Sequence, residues 1–145
     1  MALITDQFFY QALRTNADII EMTDGRIFNP ARPEEDDNED RIPYIIISHN
    51  GGTNSQEDKD FGMESDTDTC NIAVLCVTSD RESLADLTQL VRDTLKKAIR
   101  DDQDEIEQGY EITDYTLSYD SVQMDITRPC VYQTLTYNCE TTTNV

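Results

Sequence analysis

Basic residues are scarce in this chain. Its 145 residues hold 11 Lys and Arg against 30 Asp and Glu, for a net charge of −19 at pH 7. Phosphate contacts need clustered Lys and Arg, so a nucleic-acid-binding domain of the usual basic kind is excluded. The same balance disfavours docking on an anionic membrane. No run of about 18 apolar residues occurs in the sequence, so no transmembrane helix is expected. The opening stretch MALITDQFF has no positive n-region and no long apolar h-region, so no secretion signal is expected.

Histidine is limited to His49, beside Asn50 and Gly51. Nucleophilic catalysis of the Ser-His or Cys-His kind would have to use it, and a lone loop histidine is more often simply solvated. The four cysteines, Cys70, Cys76, Cys130 and Cys139, form no CxxC pair. Zinc needs clustered Cys and His, so no zinc site is expected. Without a secretion signal the cysteines read as free, mostly buried thiols. Gly51-Gly52 has no third glycine and no following Lys, so there is no phosphate-cradling loop. Asp36, Asn38 and Asp40 resemble the start of a calcium loop, but Arg41 occupies its glycine position. Catalytic, cofactor-binding and metal-binding residues are therefore all expected to be none.

Acids are abundant, and unevenly spread. Glu34 to Asp40, Glu57 to Asp68 and Asp101 to Glu107 together hold 17 of the 30. Dense apolar stretches lie between them. High net charge alone would suggest disorder. This distribution instead suggests a folded domain with acidic loops at about 30–41, 50–68 and 101–109.

The apolar stretches have readable periods. Residues 5–22 read as helix, with Thr5 or Asp6 as cap, Phe8, Phe9, Ala12 and Leu13 on one face, and a possible break at Asn16. Arg26 to Phe28 reads as a short extended piece after the Asp24-Gly25 turn. Ile42 to Ser48 is the clearest strand. Its consecutive Tyr44, Ile45, Ile46 and Ile47 make both faces apolar, as in a strand covered on two sides or one at a subunit interface. Asn50-Gly51-Gly52 is expected to stop it. Cys70 to Thr78 is a second strand of the same kind. Ser79 and Glu82 have capping-box spacing, and Leu84, Leu87, Val91, Leu95 and Ile99 then run down one side of a helix. Alternation marks further strands at Tyr115–Tyr119, Val122–Ile126 and Val131–Tyr137. Residues 141–145 are expected to fray. The fold class is α+β, a single domain over 1–145. A mixed, mostly antiparallel sheet packs against two helices in the order α-β-β-α-β-β.

That order resembles the tail completion, or tail terminator, proteins of long-tailed bacteriophages and prophages, the group of the minor tail protein U. Short fragments carry the likeness: Gly25-Arg26-Ile27-Phe28, and the Ile-Pro-Tyr-Ile-Ile-Ile strand from Ile42 to Ile47. It spans roughly residues 5–138. The resemblance implies a structural, non-enzymatic protein of the virion tail, assembled in the cytoplasm of a bacterial host. It implies a homo-oligomer, a hexameric ring on the head-proximal end of the tail tube. Its partners would be the tail tube protein and the head–tail connector, and it would stop tube growth. DNA would pass through the lumen without specific binding.

Tyr44 to Ile47 is then the candidate subunit-packing strand, and Asp58, Asp60 and Asp66 the candidate lumen-facing or partner-facing acids. Those acids would either repel passing DNA or simply keep the protein soluble. Repulsion between acidic loops would make the ring tighten with added salt. Two other readings are a neck or baseplate adaptor and an acidic DNA mimic that inhibits a basic partner. For the mimic, clustering of the acids in loops is unfavourable.

Overall fold

The computed structural model describes residues 5–29, 42–54, 67–101, 103, 110–127 and 129–143. Helices α1 (Thr5–Arg14) and α2 (Ala17–Thr23) come first, followed by strands β1 (Ile27–Phe28), β2 (Tyr44–Asn54) and β3 (Thr67–Thr78). Helix α3 (Arg81–Asp101) follows, and then β4 (Tyr110–Tyr119), β5 (Gln123–Asp125) and β6 (Cys130–Thr143). The strands form one sheet in the order β1-β2-β3-β6-β4, with β5 also paired to β6. The β1–β2 pair is parallel and every other pair antiparallel. The α+β class and the mostly antiparallel mixed sheet agree with the sequence reading.

The first helical region splits in two, as the break at Asn16 suggested. Asn16 leaves helical geometry, and its side-chain oxygen accepts from the N–H groups of Asp18 and Ile19 at 2.9 and 3.1 Å. It thereby ends α1 and caps α2. Its amide donates to the Thr94 hydroxyl at 3.0 Å, tying this corner to α3. Asp24 takes the left-handed conformation at the end of α2 and turns the chain into β1.

The three helices cover one face of the sheet. Strand period two sends Ile45 and Ile47, then Cys70, Ile72, Val74 and Cys76, then Val131, Leu135, Tyr137 and Cys139 to that side, all buried. They meet Phe8, Phe9, Ala12 and Leu13 of α1 and the buried stripe Leu84, Leu87, Val91, Leu95 and Ile99 of α3. Phe9 stands edge-on to Tyr137 at 5.2 Å, a favoured aromatic geometry. Every apolar position assigned to α3 from its spacing faces this core.

Several boundaries depart from the sequence reading. Helix α3 is capped by Asp80 rather than by a Ser79–Glu82 box. The Asp80 carboxylate accepts from the Ser83 N–H at 2.8 Å and the Ser83 hydroxyl at 3.1 Å. These bonds hold its carboxyl below the usual carboxylate range. Asn50-Gly51-Gly52 does not stop β2. The register shifts there, with Gly51 at φ +94°, and pairing with β3 resumes at Gly52. A Cβ on Gly52 would meet Thr69 O and Cys70 Cα, so glycine lets the two backbones close again. Residues 141–143 do not fray but pair with β3 and β4. Val122–Ile126 shortens to the three residues of β5. Asp125 folds back to accept from the Thr127 N–H at 2.9 Å, and β5 lies outside the helix layer. Met124 and Ile126 are therefore exposed, at 66% and 86%, instead of facing the core.

Candidate functional site

The sheet's second face carries the other half of the strand alternation. Register aligns its residues in rows across the strands. Phe28, Ile46, Leu75 and Thr134 form one row, and Tyr44, Val77, Tyr132 and Gln123 the next. The rings of Phe28 and Tyr44 lie 6.3 Å apart. Val77 is only 3% exposed although it points away from the helices, because it stands between Tyr44 and Tyr132. Phe28, Tyr44, Ile46, Leu75 and Tyr132 are half-buried and form the rim of this patch. Farther along, the rows become polar: Ser48, Ala73, Thr136 and Ser118, then Asn71, Asn138 and Thr116. The last rows are acidic, with Glu140 beside Asp114 and Glu111 beside Thr142. One end of this face can therefore exchange water for another apolar surface, and the other repels anions.

The structure divides the predicted packing strand. Ile45 and Ile47 are spent on the chain's own core, both 0% exposed. Tyr44 and Ile46 lie on the second face, both half-buried. Asp58, Asp60 and Asp66, the acidic run 34–40 and the calcium-like Asp36–Asp40 segment lie outside the described residues. Phe28, Leu75 and Tyr132 were not singled out from the sequence. Only strand register shows that they join Tyr44 and Ile46.

His49 stands in β2 opposite Ile72, not in a free turn. Its Nδ1 accepts from the Gly51 N–H at 3.1 Å, which leaves the ring proton on Nε2. That nitrogen is buried without a hydrogen-bond partner among the described residues. All four cysteines are free thiols, with Cys70, Cys76 and Cys139 buried and Cys130 half-buried. Burial pushes the Cys76 thiol up to about 12. Cys139 faces Cys70 across the β3–β6 pair, and its bond to the Cys70 side chain, with burial, pushes its thiol far up. Such thiols stay protonated at neutral pH and are poor nucleophiles. No group of three or more His, Cys, Asp or Glu able to hold a metal occurs among the described residues. No helix among them is long and apolar enough to cross a membrane.

No protein-family model and no curated protein sequence matches this chain. Its fold does have a solved counterpart. The chain is similar to one from the virion of a native gene transfer agent particle, with a TM-score of 0.69 at 10% sequence identity. The overlap covers 94% of this chain and 93% of that one. At such low identity the likeness is one of fold.

Proposed function

We propose that this chain is a structural protein of a phage-like virion that acts without catalysis. In this reading it closes the head-proximal end of the tail tube as a hexameric ring, stops tube growth and offers the surface that joins the head connector. The observation that carries the reading is the end-to-end overlap with a virion protein, at 94% and 93% of the two chains. The element order and the fragments Gly25–Phe28 and Ile42–Ile47 add support, because they resemble the tail terminator proteins.

The second sheet face suits the role. Its apolar patch around Tyr44 and Ile46 supplies contact area for a neighbouring subunit. The acids supply the opposite property. Six copies at −19 carry about −114 before counterions, a field that repels the phosphates of DNA moving through a central channel.

The test is to mix the protein with its tail tube protein and follow both mass and tube length. A mass near six chains, with tubes that stop growing when the protein is added, is the expected result. A chain that stays monomeric with tube protein present, and leaves tube length unchanged, overturns the proposal. Binding to a connector but not to the tube would favour the neck adaptor reading instead.

A further inference from the structure

Three of the four cysteines are buried, and strand register singles out two of them. Cys70 of β3 stands directly opposite Cys139 of β6, and both belong to the helix-covered core. The Cys139 S–H donates to the Cys70 sulfur. Cys76 lies opposite Gln133 and Cys130 opposite Asp125, so neither of these faces another cysteine. Cys76 is also about 20 Å from Cys70 along β3, too far for any bridge.

The row that holds the pair leaves room for a bond. It runs Gly52, Cys70, Cys139 and Tyr115 across β2, β3, β6 and β4. Gly52 brings no side chain against Cys70, so the Cys70 side chain has Cys139 as its one side-chain neighbour in the row. Directly opposed residues of an antiparallel pair have Cα atoms about 4.5–5.5 Å apart, inside the span of about 4.4–6.8 Å that a disulfide bridges. Closing the bond therefore asks for side-chain rotation and not for backbone movement.

We propose that Cys70 and Cys139 are a redox pair that closes into a disulfide and locks β3 to β6. Strand β6 also carries β4 and β5 on its other side, so the lock holds the middle of the sheet. The oxidant is a small-molecule disulfide. The thiolate of one cysteine attacks it, releases one small thiolate and forms a mixed disulfide. The thiolate of the second cysteine then displaces the other small thiolate. The two cysteines lose two electrons and two protons, and the small disulfide takes up both as two thiols. The reaction waits for local opening, because the buried thiols stay protonated. The pair stands three places in from Thr67–Thr142, the last described pair of these strands, and strand ends open more readily than centres. As a virion component the chain would fold in a reducing cytoplasm and meet oxidising surroundings after release; that timing rests on the virion reading above, whereas the bond itself does not.

Refolding tests the pair without the kinetic limit that burial sets. The full-length chain is unfolded and refolded in glutathione buffer, mostly oxidised or mostly reduced. Peptide mapping without reduction identifies the bonded cysteines, and thermal melting compares each sample with itself after dithiothreitol. The expected result is one Cys70–Cys139 crosslink within the chain and a melting temperature higher by about 10 °C, lost again on reduction. The rise follows from the loop of about 70 residues that the bond closes in the unfolded chain. Cys139→Ala should abolish both the crosslink and the rise, whatever its own stability, because oxidised and reduced samples of one variant are compared. Cys130→Ser should keep both. A chain that retains both thiols in the oxidised buffer, or that bonds Cys130 instead, overturns the proposal. A Cys70–Cys139 crosslink that fails to raise the melting temperature overturns the lock. Either failure leaves the ring reading standing, and a chain that crosslinks as expected but ignores the tail tube loses only the timing.

Discussion

Adjacent isoleucines in β2 offer a sharp test of which side chains hold the fold and which are left for contact. Ile47 is 0% exposed between sheet and helices, whereas Ile46 lies half-buried on the second face. Ile47→Ala removes buried methyl groups and leaves a cavity, which costs about 3 kcal/mol. For a chain of 145 residues the unfolding entropy is about 0.3 kcal/mol per degree, so the melting temperature should fall by about 10 °C. Ile46→Ser removes less buried area and should cost only about 1 kcal/mol in the dilute chain, or about 3 °C. Assembly separates them further. A ligand or partner that binds only the folded state stabilises it by mass action. If Ile46 packs against another subunit, its effect should grow with protein concentration, while that of Ile47→Ala should not. Calorimetry at two concentrations reads both. Equal losses for the two variants when dilute would refute the division of faces. An Ile46→Ser loss that ignores concentration would refute its role in subunit packing.

Three other outcomes are expected. Asp80→Ala should lower the melting temperature at neutral pH, and its effect should shrink as pH falls below the unfolded value near 3.8. The folded-state carboxyl is held low, so its stabilisation is present above the unfolded value near 3.8 and is lost as pH falls through the folded one. Pulsed alkylation at pH 8 should label Cys130 first and leave Cys70, Cys76 and Cys139 unreacted until unfolding, as mass mapping can read; rapid labelling of Cys76 would contradict its burial. Gly52→Ala should destabilise by about 2 kcal/mol in chemical denaturation, because its Cβ would stand 2.8 Å from Cys70 Cα and press on the Thr69 carbonyl.

Local pattern and tertiary outcome part company at identifiable residues. The α3 stripe was fully legible, since a 3.6-residue period over 21 residues admits one buried face. The Asn16 break was legible for a similar reason: a side chain that caps one helix also interrupts another. The Asp80 cap was missed because Ser79 offers the same chemistry one residue earlier, and only backbone geometry decides which side chain reaches the free N–H groups. Gly51-Gly52 read as a stop because glycine serves both turns and bulges. The presence of β3 alongside made it a bulge. Val122, Met124 and Ile126 alternate like a strand with one apolar face, yet only Val122 packs against the core, and Met124 and Ile126 are left exposed.

By itself, the sequence determined the apolar periods, the α+β class and the acidic excess. These depend on neighbours along the chain and on summed charge. Only the tertiary structure decided which of two apolar strand faces became core. Tyr44 to Ile47 looks alike on both sides, and Ile45 and Ile47 turned inward because Phe8, Phe9 and the α3 stripe lie on their side. The structure also decided that Phe28, Leu75 and Tyr132 join Tyr44 and Ile46. Strand order and helix placement set those distances, and they join residues far apart in sequence that no local period relates.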